Sequence, residues 1–80
     1  MKKEEKNELA KRIYVKLGFN DVIIKFSRDE EISADYAWIP DMRGPAGIII
    51  SDDGSFLLCQ SAHGFDYWRE EFLKGNRSTI

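Results

Sequence analysis

The stretch Ile48-Ile49-Ile50-Ser51-Asp52-Asp53-Gly54-Ser55-Phe56-Leu57-Leu58-Cys59 decides the fold. Two apolar runs flank Asp52-Asp53-Gly54, a three-residue connection suited to a type I turn closed by a left-handed glycine. If Ser51 faces Ser55, then Ile50 lies opposite Phe56, Ile49 opposite Leu57 and Ile48 opposite Leu58. Side chains alternate along a strand, so Ile48, Ile50, Phe56 and Leu58 form one apolar face and Ile49, Leu57 and Cys59 the other. Apolar residues on both faces put this hairpin at the centre of a sheet, with cover on each side.

Working upstream, residues 41–47 (D-M-R-G-P-A-G) read as a loop from their glycine and proline content. Residues 35–40 read as a strand with Tyr36 and Trp38 on one face and Ala37 and Ile39 on the other. Pro40 has no N–H for a ladder bond and ends it. The polar stretch 27–33 reads as a loop or a short helical turn, and 22–26 as a strand of β-branched and aromatic residues. Residues 4–17 form a helix in which Leu9, Ile13 and Leu17 recur at i, i+4, i+8 beside Ala10 and Tyr14. Gly18 is its stop, and Phe19 follows where it can touch Tyr14.

Downstream, Phe65, Trp68 and Phe72 recur at i, i+3, i+7, with Leu73 beside them. The spacing predicts a helix over 65–74 that ends at Gly75, followed by a frayed tail at 76–80. The order is α-β-β-β-β-α. Short connections require antiparallel pairing, since parallel strands need long crossovers. The expected architecture is therefore α+β: a sheet of about four antiparallel strands packed with an N-terminal and a C-terminal helix. Its expected core is Leu9, Ile13, Leu17, Val22, Ile24, Phe26, Ile48, Ile50, Phe56, Leu58, Trp68 and Phe72.

Eighty residues fill one domain, spanning 1–80, and 42% apolar content is enough for it to fold. No apolar run approaches the ~20 residues of a membrane span. The start, M-K-K-E-E-K-N-E, lacks the apolar segment of a signal peptide. With one cysteine there is no internal disulfide. A reducing, cytoplasmic setting is the expectation. Twelve basic against fourteen acidic side chains give a net charge of −2, which disfavours nucleic acid as a partner.

The charge is unevenly spread. Residues 29–66 hold eight acidic side chains and Arg43 as their one base. Tyr36 and Trp38 lie within this stretch, and Tyr and Trp are favoured anchors at protein interfaces. Tyr67 falls off the apolar stripe of the last helix. The sequence therefore points to a protein-binding module of adaptor, inhibitor or immunity type, with Tyr36, Trp38, Asp52, Asp53 and Tyr67 as binding residues and another protein, of basic surface, as partner. Self-association is a further expectation left open by the sequence. In a meander the 52–53 turn and the 29–35 connection emerge at one end of the sheet, where their acids form a negative rim.

The alternative is a small thiol-dependent enzyme using Cys59 and His63, the chain's one thiol and one imidazole. Spacing alone does not favour it, because apolar neighbours raise a thiol's pKa. No metal or cofactor is expected. S-D-D-G-S lacks the distal glutamate of a calcium loop, and R-G-P-A-G lacks the Lys-Ser/Thr pair of a phosphate loop. Ser78-Thr79-Ile80 resembles a C-terminal peptide ligand, but a match this short arises readily by chance.

Overall fold

A computed structural model describes residues 1–40, 47–59 and 63–79. Helix α1 (Lys3–Lys16) leads to strand β1 (Lys25–Asp29), a 3-10 turn at Glu30–Ile32, then β2 (Ala34–Trp38), β3 (Gly47–Ser51), β4 (Phe56–Cys59) and helix α2 (Phe65–Leu73). The strands form one antiparallel sheet in the order β1-β2-β3-β4. This is the expected α-β-β-β-β-α arrangement. Among the described residues no helix is long and apolar enough to cross a membrane.

The central hairpin has the register its sequence dictates: Ile50 pairs with Phe56, Ile49 with Leu57 and Ile48 with Leu58. The turn closes through Ser51 N–H to the Ser55 carbonyl at 2.8 Å and Gly54 N–H to the Ser51 carbonyl at 3.0 Å. Gly54 has φ +94°, the left-handed value that such a turn asks of its last residue.

The helices cover opposite faces of the sheet. Ala10, Ile13 and Tyr14 of α1 pack on Ala37, Ile39, Ile48 and Ile50, with Phe26, Phe56 and Leu58 at the margin. Phe72 of α2 packs on Ile32, Ala34, Ile49, Leu57 and Cys59, with Tyr36 and Trp68 at the margin. Gly47 to Ile50 are buried throughout, as a strand covered on both sides requires.

Three expectations need correction. First, Leu17 is 40% exposed rather than core. The inward face of α1 is Lys6, Ala10, Ile13 and Tyr14, rotated from the Leu9–Ile13–Leu17 stripe, because it seats the small Ala10 and the ring of Tyr14 on the sheet. Gly18, at φ +97°, and the bond from Phe19 N–H to the Tyr14 carbonyl at 2.9 Å end the helix as its sequence indicates. Second, the first strand runs over Lys25–Asp29 and not 22–26. Its last pair toward the chain start is Lys25 with Trp38. Two residues further on, the partner would be Pro40, which has no N–H to give, so Val22 and Ile24 pack on the α1-side core from outside the sheet.

Third, the C-terminal segment is docked rather than frayed. Ser78 N–H donates to the Phe56 carbonyl at 2.8 Å, and Leu58 N–H donates to Ser78 Oγ at 2.9 Å. Arg77 lies 3.8 Å above the Phe72 ring centroid and donates to the Phe72 carbonyl at 2.8 Å. At the end of α2, Leu73 is 54% exposed and off the stripe, while Trp68 is half-buried. The loop expected at 41–47 lies outside the described residues, except for Gly47.

Candidate functional site

Gly47 opens β3 on the face that α2 covers. A Cβ there would collide with the hydroxyl end of the Tyr36 ring, so the missing side chain is what lets that ring lie across the strand. Trp38, two residues along β2 and on the same face, stacks on Tyr36 with centroids 5.6 Å apart and planes at 23°. Phe65, in the first turn of α2, meets Tyr36 edge-on at 4.8 Å. Edge-on and offset contacts of this kind suit the ring quadrupoles.

These three rings line an open groove of about 680 Å³, with Ser27, Arg28 and Asp29 along its β1 wall and Ile39 and Pro40 at its far end. Helix α2 packs over β4, so the β1–β2 half of this face is left to the groove. Tyr36 and Trp38 are half-buried and Phe65 is 38% exposed. Desolvation raises the Tyr36 pKa, keeping its hydroxyl protonated at neutral pH.

Of the residues singled out from sequence, Tyr36 and Trp38 come together here. Tyr67 stands apart, on α2, stacked on His63 at 4.0 Å and edge-on to Trp68 at 4.9 Å. Asp53 is absorbed by the turn: its Oδ1 accepts from Ser55 N–H at 2.9 Å and from Ser55 Oγ at 2.6 Å, which hold its pKa at about 2.

Asp52 belongs to an ion-pair network on the α1 face. Arg28 grips it with two bonds, Nη1 to Oδ1 at 2.7 Å and Nη2 to Oδ2 at 2.9 Å. The Lys6 ammonium, 2% exposed, reaches Asp52 at 2.6 Å and Asp35 at 3.2 Å. Arg28 also bonds Glu30 at 2.9 Å. Arg28 and then Lys6 hold the Asp52 carboxyl far below the usual carboxylate range. On the α2 face Arg69 bonds Asp29 at 2.8 Å and Glu31 at 2.9 Å, and lowers the Asp29 pKa.

The acids of the 29–35 connection and the 52–53 turn do share one end of the sheet, joined by Asp52 N–H to the Ser33 carbonyl at 3.1 Å. Cations from both helices and from β1 occupy them. The rim is thus a set of ties between layers more than a free negative surface.

Cys59 and His63 do not meet as a nucleophile and its base. The thiol is buried beneath α2, donates to the Leu57 carbonyl at 3.7 Å and is pushed up to about 12 by desolvation. His63 is exposed and engaged with Tyr67 and Trp68. Among the described residues no three His, Cys, Asp or Glu side chains converge as a metal site.

Phe65 and Gly47 are site residues that the sequence reading missed. Phe65 fits the apolar stripe of α2, but in the first turn it overhangs the groove instead of entering the core. A glycine opening an apolar strand was the available signal for Gly47, since it marks close approach by another group. The chain matches no protein-family model, no curated protein and no solved structure.

Proposed function

We propose that this chain is a small protein-binding module whose recognition surface is the groove walled by Tyr36, Trp38 and Phe65. The observation that carries the reading is the partial exposure of three rings, Trp38 and Phe65 each packed on Tyr36, around an open groove. Nearby charges are meanwhile tied up inside the molecule. Rings held in place by one another lose little conformational freedom on binding, and aromatic anchors in such concavities commonly dominate interface energy. The occupant of this proposal is an extended segment of another protein that offers apolar side chains to the rings. Attraction between an acidic rim and a basic partner plays a lesser part, because Asp52, Asp29 and Asp35 already have cations.

Panning a random peptide library on the folded protein tests this. Selected peptides should be rich in aromatic and branched apolar residues. Trp38→Ala and Phe65→Ala should each weaken them at least tenfold, while Asp53→Asn leaves them within about twofold. Selection of peptides that bind both ring variants as they bind the wild type would remove the groove as the recognition surface.

A further inference from the structure

The two edges of the sheet are unequal. Antiparallel strands alternate between residues that exchange both backbone bonds with one neighbour and residues that turn them the other way. The bond from Ser51 N–H to Ser55 makes Ser51, Ile49 and Gly47 the residues of β3 that bond β4. Ile50 and Ile48 then bond Asp35 and Ala37 of β2, in step with the Asp52 bond to Ser33 beyond them. By the same alternation Ala34, Tyr36 and Trp38 bond Asp29, Ser27 and Lys25 of β1. The outward backbone groups are therefore those of Phe56 and Leu58 on β4, and of Phe26 and Arg28 on β1. Two of the four on β4, the Phe56 carbonyl and the Leu58 N–H, are taken by Ser78, in keeping with this phase of the alternation. Among the described residues no hydrogen bond is made to the outward backbone groups of Phe26 and Arg28.

Charge says what fits there. On the α2 face, Asp29 and Glu31 share the one guanidinium of Arg69, which leaves one negative charge in excess. Lys25, exposed on the same face of the same strand, takes part in no ion pair among the described residues. When β1 is laid antiparallel against a second β1 about a twofold axis at Ser27, Phe26 exchanges backbone bonds with Arg28 of the other copy. Lys25 then stands opposite Asp29. Charges on an edge strand ordinarily oppose pairing, but in this register each meets its opposite, twice.

We infer that β1 is a self-association edge and that the chain forms a twofold dimer with one continuous eight-stranded sheet. Such an axis is perpendicular to the sheet, so both aromatic grooves face the same side. The two Tyr36 rows stand three strand spacings apart, about 14 Å. The inference does not depend on what the grooves bind.

Sedimentation equilibrium of the full chain, from low micromolar to about millimolar concentration, tests it together with amide exchange over the same range. The wild type should show a concentration-dependent monomer–dimer equilibrium. Phe26 and Arg28 amides should gain protection as the dimer fills, while Ser27, already bonded within the chain, stays protected throughout. Lys25→Glu sets like charges against Asp29 and Glu31 without removing any ion pair among the described residues, and should weaken the dimer at least tenfold. Arg28→Pro removes the outward N–H and should abolish the dimer relative to Arg28→Ala, which loses the same side chain but keeps the N–H. A wild type that stays monomeric overturns the inference. So does a dimer in which Phe26 and Arg28 amides still exchange freely, or one that Lys25→Glu leaves unchanged.

Discussion

At the scale of the residue, two glycines do different work. Gly54 supplies a left-handed φ of +94°. Gly54→Val should cost about 1 kcal/mol or more, because a β-branched residue is strained there, and a lowered denaturant midpoint reads it out. Gly47 supplies space. Gly47→Ala puts a methyl group where the Tyr36 ring lies, so the ring must leave Trp38 and Phe65. The expected cost is about 1–3 kcal/mol, together with a change in Trp emission. In a Tyr36→Ala background the same substitution should be nearly neutral, and a double-mutant cycle measures the difference. Equal costs in both backgrounds would show that Gly47 serves the strand and not the ring. Tyr36 and Trp38 were legible from sequence as residues facing one way from a strand. Their third partner was not, because Phe65 comes from a helix whose placement depends on packing 27 and more residues away in sequence. The fate of Asp52 was equally hidden: its cations are Lys6 and Arg28, from two other elements.

At the scale of the element, local pattern was enough wherever local physics decides. The central hairpin shows its turn and register in twelve consecutive residues, and α1 shows its stop in Gly18. Pattern misled where a partner decides. The 22–26 run looks like a strand by composition, yet its ladder fails at Pro40, and the polar residues Ser27 to Asp29 are paired instead. They tolerate this because an edge strand has one ladder neighbour and because Arg28 and Asp29 tie it to Asp52 and Arg69. Those ties make stability depend on pH. Asp52, Asp29 and Asp53 all have pKa values lowered from the ordinary 3.8, Asp53 to about 2. In acid the unfolded chain takes up these protons first. The stabilisation is therefore complete above about pH 5 and is lost as pH falls through 3.8 toward 2. Urea midpoints across that window should fall steeply for the wild type. Arg28→Gln lowers stability at neutral pH and should also flatten the acid slope, since Asp52 then titrates nearer its ordinary value. An unchanged slope in that variant would place the acid-sensitive groups elsewhere.

At the scale of the whole molecule, the sheet is closed at one side by its own chain. Deleting residues 76–80 removes Ser78 from the Phe56 carbonyl and the Leu58 N–H, and removes Arg77 from above Phe72. Two edge hydrogen bonds and the cation–π contact of the exposed Arg77 are together worth about 2 kcal/mol, so the truncated chain should have a measurably lower denaturant midpoint. Ser78→Ala, which keeps the backbone bond and loses only the hydroxyl, should cost about 1 kcal/mol. The larger consequence is in assembly. With β4 partly occupied by Ser78, β1 is the open edge among the described residues, and in the inferred dimer a twofold contact through that one edge closes on itself at two copies. With the tail gone, each molecule has two open edges. β1 to β1 and β4 to β4 contacts can then alternate without closing, as open contacts in general lead to extended assemblies. Light scattering at matched concentration should therefore rise well beyond the dimer for the truncated chain, and Lys25→Glu in the same background should bring it back toward a pair joined through β4. If truncation lowers the midpoint but the scattering stays at that of the intact chain, the tail is a stabilising clasp and the β4 edge needs no protection.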